Sequence, residues 1–234
     1  MKAIFLRELR TYFKGPLGYV FIGVTALFTG LYFYAYNLYA GATNFASLFS
    51  TLFAVELFLI PILTMRLLSE ERRQRTDLLL FTAPVSNPGI VMGKYLSAVC
   101  VYMIATGSAL LDILVFSMLA QVNWALVLGN YAGLLLLGAA LIAICLFVSS
   151  LTESQLIAAV GGFSVSILLI LLEALTPMIS NASLQNVMSW LNFSARYAPF
   201  TYGVFALKNV VFFSSIAALF IYLTVMRLEY RRLS

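Results

Sequence analysis

Six runs of roughly twenty mainly apolar residues decide what this chain can become, because a helix crossing a bilayer needs about that length. They extend from Leu17 to Tyr36, Phe49 to Leu68, Tyr95 to Leu119, Trp124 to Val148, Leu156 to about Leu175, and Val210 to Met226. In lipid every backbone N–H and C=O must be satisfied within the protein, which leaves helices and closed barrels. A barrel needs strands of alternating polarity, and the sequence has no such pattern. The expected fold is all-α and integral to the membrane, one transmembrane domain over residues 1–234. A water-soluble domain is excluded, since 62% hydrophobic and 10% charged residues leave too little polar surface to cover one.

Lysine and arginine positions set the orientation. The first stretch carries Lys2, Arg7, Arg10 and Lys14, the segment after the second run Arg66, Arg72, Arg73, Arg75 and Lys94, and the tail Arg227, Arg231 and Arg232. With six spans these twelve of fourteen basic residues share one side, opposite Arg196 and Lys208. The positive-inside rule makes that side cytoplasmic, with both termini there, as in a multi-pass protein of a bacterial inner membrane. The net charge of +5 suits topology and anionic lipid headgroups better than nucleic acid, so no nucleic acid is expected. Histidine is absent and Cys100 and Cys145 lie in apolar runs, which argues against zinc or imidazole chemistry. The cysteines read as small hydrophobes.

The opening segment is too dispersed in charge for a signal peptide and shows no small-residue cleavage site. On a helical wheel Phe5, Leu6, Leu9, Tyr12 and Phe13 fall within roughly 120°, beside a sector holding Arg7, Arg10 and Lys14. Residues 1–15 therefore read either as an amphipathic helix lying in the membrane surface, broken by Gly15-Pro16, or as an ordinary basic flank.

Residues 69–93 form the most charged and most helix-interrupting part of the chain. Arg72, Arg73 and Arg75 would complement the dipole at the end of the second span. Thr76 can cap a short helix with Asp77 in its first turn, stopped by Pro84 and Pro88. Leu78, Leu79, Leu80 and Phe81 cover every direction around that helix, so some of them must rest on lipid, on the bundle or on another protein.

The stretch EERRQRTDLLLFTAPVSNPGIVMGKY, from Glu70 to Tyr95, resembles the coupling segment of ABC transporter permeases of the type-2 (ABC-2) export family. The positions carrying the resemblance are Glu70, Glu71, Thr76, Asp77, Leu78, Leu79, Pro84, Val85, Ser86, Gly93 and Lys94. Arg75 stands where the family usually has glycine, and Asp77 where glutamate is common. SSLTESQLIAA, from Ser149, and the stretch from Arg196 to Arg232 resemble the gliding-motility-associated and nitrous-oxide-reductase-maturation subgroup. The resemblance implies an exporter permease that pairs with a second permease copy and two ABC ATP-binding subunits. It makes Glu70, Glu71, Thr76, Asp77, Leu78, Leu79, Pro84 and Lys94 the ATPase-coupling residues.

The chain itself holds no phosphate loop. GIVMGKY, from Gly89, has one spacer too few and a tyrosine where magnesium needs a hydroxyl. It is therefore not expected to be an enzyme or to bind a cofactor, ATP and Mg being expected on the partner. Thr152 and Gln155 fit a capping box at the start of the fifth span, with Glu153 beside them as a helix-terminal anion or a second cytoplasmic contact.

Glu56 and Asp112 both lie ~12 to 14 Å from the outer ends of the antiparallel second and third spans. Such carboxyls line a polar path, form a protonatable pair, or bond to neighbouring hydroxyls or to Arg196. Residues 173–209 form the longest outer segment. Leu184, Val187, Met188 and Leu191 recur at helical spacing, while Trp190, Tyr197 and Tyr202 suit the headgroup level. The family likeness makes this element an outer gate with Trp190, Arg196, Tyr197 and Gly203, although a static lid or a docking surface for an extracytoplasmic partner fits the same residues. The sequons at Asn181 and Asn192 carry no weight in a bacterial protein. Gly129 and Gly133, with Gly138, Ala139, Ala140 and Ala143, permit close helix approach within the chain or between permease copies. In the family the first and fifth spans more often form the seam between copies.

The readings that compete with an ABC exporter are a proton-driven carrier using Glu56 and Asp112, and a non-transporting, force-transmitting scaffold of an envelope or motility complex. No internal repeat of the kind carriers show is evident. The substrate is not encoded in any motif.

Overall fold

The computed structural model describes residues 1–74, 86–178 and 182–233, with side chains except at positions 177, 182–184, 187, 232 and 233. Among these residues there are helices and no strands. In chain order they are α1 (Lys2–Lys14), α2 (Pro16–Phe33, continuing as a π-helical turn Tyr34–Tyr39), α3 (Ala46–Thr64), α4 (Ser69–Arg73), α5 (Asn87–Phe116), α6 (Trp124–Leu151), α7 (Gln155–Leu175), α8 (Ala182–Leu191), α9 (Phe193–Thr201) and α10 (Leu207–Leu233). Six of them, α2, α3 (through α4), α5, α6, α7 and α10, are long and apolar enough to cross a membrane. The protein is multi-pass.

All six spans are longer than the apolar runs that predict them, and two depart further. α5 begins at Asn87, with Pro88 in its first turn, and not at Tyr95. Lys94 interrupts the apolar run but not the helix. The second span does not run straight past Leu68: α3 ends at Thr64, residues 65–68 turn, and α4 follows.

α6 is the axis of the bundle. It packs against α3, α7, α9 and α10, and Asn123 opens it by accepting from the backbone N–H groups of Ala125 and Leu126. Its small residues are seats for aromatic rings. A Cβ on Gly133 would lie 2.7 Å from Phe200 of α9, and one on Gly138 would meet the Tyr102 ring of α5. The GxxxG pair therefore serves packing within the chain.

α3 contains Pro61, which cannot donate to the carbonyl of Leu57. Ser166 of α7 supplies the missing hydroxyl to that carbonyl, and Gly162, one turn earlier, leaves room for the proline ring. A break in one helix is thus closed by its neighbour, as the membrane interior demands.

α1 forms as the periodicity suggests, but with a different face inward. Ile4, Glu8 and Tyr12 are buried against the bundle; of the apolar sector Phe5, Leu6, Leu9, Tyr12 and Phe13 only Tyr12 is among them. The reason is a carboxylate whose partners lie far away in sequence.

Candidate functional site

The end of α3 poses a backbone problem. The last carbonyls of a helix have no partner within it, and here the chain turns instead of continuing. Three other helices supply the donors. Tyr12 of α1 donates its hydroxyl to the carbonyl of Leu63 at 2.9 Å, Ser149 of α6 donates to that of Met65 at 3.0 Å, and Lys94 of α5 donates to that of Leu67 at 2.7 Å. Ser149 also accepts from the N–H groups of Leu68 and Ser69.

Lys94 does more than close this turn. Its ammonium, with a side chain only 1% exposed, sits 3.2 Å from a Glu8 carboxyl oxygen and 2.9 Å from one of Glu71. Arg7 reaches the same two carboxylates, at 2.6 Å each. Two cations and two anions from α1, α4 and α5 thus form a neutral quartet. Burial alone would raise the Glu8 carboxyl, but the Lys94 ammonium and Arg7 outweigh it and hold it below its ordinary value. Burial would lower the Arg7 guanidinium, and Glu8 and Glu71 together hold it above its usual value. The Tyr12 phenol is pushed upward, mainly by burial and then by Glu8.

Around the quartet lies a cleft of ≈ 250 Å³ lined by Arg66, Glu70, Gln74 and Thr11 among others. Arg66 pairs with Glu70 one turn on, at 3.2 Å. On the other side of α4, Arg72 donates to the carbonyl of Ser150 at 2.6 Å and meets Glu153 at 3.4 Å, which also lies 3.9 Å from Arg231 of α10. The root of the segment after Arg73 is therefore fastened directly to α1, α5 and α6, and through Glu153 it is linked to α10.

Of the coupling residues read from the sequence, Thr76, Asp77, Leu78, Leu79 and Pro84 lie outside the described residues. Glu70, Glu71 and Lys94 are described, and the latter two face inward. Lys94 is too buried to meet another protein. Its place is at the turn between α3 and α4.

Thr152 and Gln155 do not form the expected capping box. Ser154 is the cap of α7 and accepts from the N–H of Ile157, Gln155 is the first residue of the helix, and Thr152 accepts from the N–H of Ser154. A nearer hydroxyl has taken the role. Glu153 precedes the helix and serves the cations of α4 and α10 instead.

Glu56 and Asp112 do not lie at the expected common depth: Glu56 is ten residues from the start of α3 at Ala46, and Asp112 only four from the end of α5 at Phe116. Glu56 is fully buried and neither carboxyl oxygen has a hydrogen-bond partner among the described residues, whereas Asp112 is partly exposed. Arg196 bonds to neither. Its guanidinium lies over the rings of Trp190 and Phe212, 5.5 and 5.1 Å from their centroids, and donates to the carbonyl of Trp190.

The segment between α7 and α10 is a pair of short helices. α8 carries the exposed Trp190, and α9, capped by Asn192, dips into the bundle. Phe200 reaches Gly133, ~13 Å along α6 from its first residue. Tyr197 is not at headgroup level. It is buried and stacked on Phe53, with centroids 5.4 Å apart. Gly203 holds φ +73, with its Cα against Gly129.

Sequence reading missed Glu8, Arg7, Tyr12, Ser149 and Arg72 as members of the site. One signal was present: Glu8 is the sole acidic residue among the first 55, on a helix otherwise basic. A carboxylate there implies a partner, though not which one.

Residues 19–230 match the family model described as ABC-2 family transporter protein. No curated protein matches the chain.

Proposed function

From the premise that this chain belongs to the ABC-2 family of transporter proteins, whose members normally work with an ABC ATPase subunit, we propose that it is the permease subunit of an ATP-driven exporter. Two permease copies form the path, and two ATP-binding subunits carry ATP and Mg. The end bearing the quartet faces the cytoplasm with both termini, in a bacterial inner membrane. The segment rooted at α4 receives the motion of the ATPase, and the α8–α9 pair gates the far mouth. The resemblance of the motifs from Ser149 and from Arg196 supports the gliding-motility-associated and nitrous-oxide-reductase-maturation subgroup as the branch of the family to which the chain is assigned in this reading.

One observation carries this reading: Lys94, buried between Glu8 and Glu71, ties the foot of that segment to α1 and α5. Motion imposed by a partner moves helices only if the contact is stiff, and a buried, fully paired cluster is stiff. α2 and α7 have 28% and 17% of their apolar windows buried, which leaves their faces free for a second copy or lipid.

The test is co-purification of the tagged full chain from its native membrane. An ATP-binding subunit should accompany the unaltered chain and be lost when residues 76–84 are deleted or Asp77→Lys is introduced. Asp77 is a cleaner target than Glu71, whose reversal would also break the quartet. Equal recovery of the ATPase with the deleted chain overturns the assignment.

A proton-driven carrier has one observation in its favour, the buried Glu56 without a hydrogen-bond partner. Transport that survives Glu56→Gln removes that reading.

A further inference from the structure

At the end of the bundle opposite the quartet, α10 and the α8–α9 pair enclose a groove of ≈ 580 Å³, within the range of ligand sites. Its wall is apolar along α10, through Val211, Phe212, Ile216 and Leu219. Its mouth holds Trp190 and the two cations Arg196 and Lys208. The distance along α10 from Leu207 to Leu219 is ~18 Å, close to one leaflet of a hydrocarbon core of ~30 Å. The groove therefore runs from headgroup level to about mid-bilayer.

The two cations have no carboxylate. Neither Arg196 nor Lys208 makes an ion pair among the described residues, whereas the cations of the quartet each touch two carboxylates. Lys208 is exposed, and Arg196 spends two of its five N–H donors on the carbonyl of Trp190. Its ring contacts with Trp190 and Phe212 hold the guanidinium at the groove mouth. An arginine and a lysine above an apolar slot one leaflet deep complement an anionic head with an acyl tail.

We infer that this groove binds a phospholipid with an anionic headgroup from the leaflet on that side, its phosphate held by Arg196 and Lys208 and one acyl chain lying along Val211 to Leu219. The site stands on the groove and its charges alone and does not depend on coupling to an ATPase. The lipid acts as a fixed filler beneath the α8–α9 pair, whose Trp190 it touches.

The chain has two tryptophans, so Trp124→Phe leaves Trp190 as the reporter. The full chain in nanodiscs of phosphatidylcholine is given chain-brominated phosphatidylglycerol or chain-brominated phosphatidylcholine, and quenching of Trp190 is titrated. Brominated phosphatidylglycerol should quench at lower mole fraction, and Lys208→Gln and Arg196→Gln should each weaken that preference about fivefold. Lys208 is exposed and bonds to nothing among the described residues, so its variant folds and keeps the test decisive should Arg196→Gln misfold. Equal quenching by the two lipids, or a preference that survives Lys208→Gln, overturns the inference. So does Trp190 shielded from both lipids, the outcome if a second copy or an auxiliary protein fills the groove.

Discussion

The two ends of the bundle handle charge in opposite ways. At the basic end Lys94, Arg7, Glu8 and Glu71 neutralise one another in the interior, and the carbonyls of Leu63, Met65 and Leu67 at the turn after α3 each have a donor from another helix. At the far end Arg196 stands over two aromatic rings and, with Lys208, lines an apolar groove, neither cation having a carboxylate partner among the described residues. One end is fastened, the other is open to a ligand. The difference suits a machine that takes in motion at its rigid end and accommodates amphiphilic matter at its adaptable one.

The strongest way to break this contrast is Lys94→Met. It strands Glu8 and Glu71 beside one cation, and loss of a buried ion-pair partner costs about 3 to 5 kcal/mol. Thermal unfolding in detergent should show a large fall in midpoint. The double change Glu8→Gln, Lys94→Met should recover most of it, because it removes one cation and one anion and leaves Arg7 paired with Glu71. Next in size is Gly133→Ala at the far end, which drives a methyl to 2.7 Å from Phe200. Overpacking of this kind costs about 1 to 3 kcal/mol. It should loosen α9, seen as faster protease cleavage between α8 and α10, and leave the basic end intact.

Acid provides a milder probe. Because the Glu8 carboxyl is held below its ordinary value of 4.5, its contribution is complete above that pH and is lost as pH falls through the lowered value. Acid titration of unfolding should contain a component that Glu8→Gln abolishes. The smallest effect belongs to Glu153→Ala. The Glu153 side chain is 63% exposed, and surface pairs contribute about 0 to 1 kcal/mol, so the midpoint should scarcely move.

Much of this fold is legible in the sequence because twenty-residue apolar runs have one solution in lipid. The limits are less legible: α5 starts seven residues before Lys94, since a charge that finds partners does not end a helix. Counting residues from the ends of the apolar runs sets Glu56 and Asp112 at one depth, but the third span ends at Phe116 and not at Leu119, which leaves Asp112 nearer its helix end than Glu56. The quartet joins positions up to 86 apart, and no local pattern encodes such a meeting. The competition between Thr152 and Ser154 for one helix terminus was decided by backbone geometry that composition does not contain.

The central claim is that the Lys94 cluster transmits partner motion into the bundle. Spin labels at Gln74→Cys and Tyr202→Cys, in a chain without Cys100 and Cys145 and purified with its ATPase, report the distance from one end to the other. Nucleotide binding should shift that distance in the parent complex, and Lys94→Met should abolish the shift while the ATPase remains bound. A full nucleotide-dependent shift in the Lys94→Met complex would contradict the account.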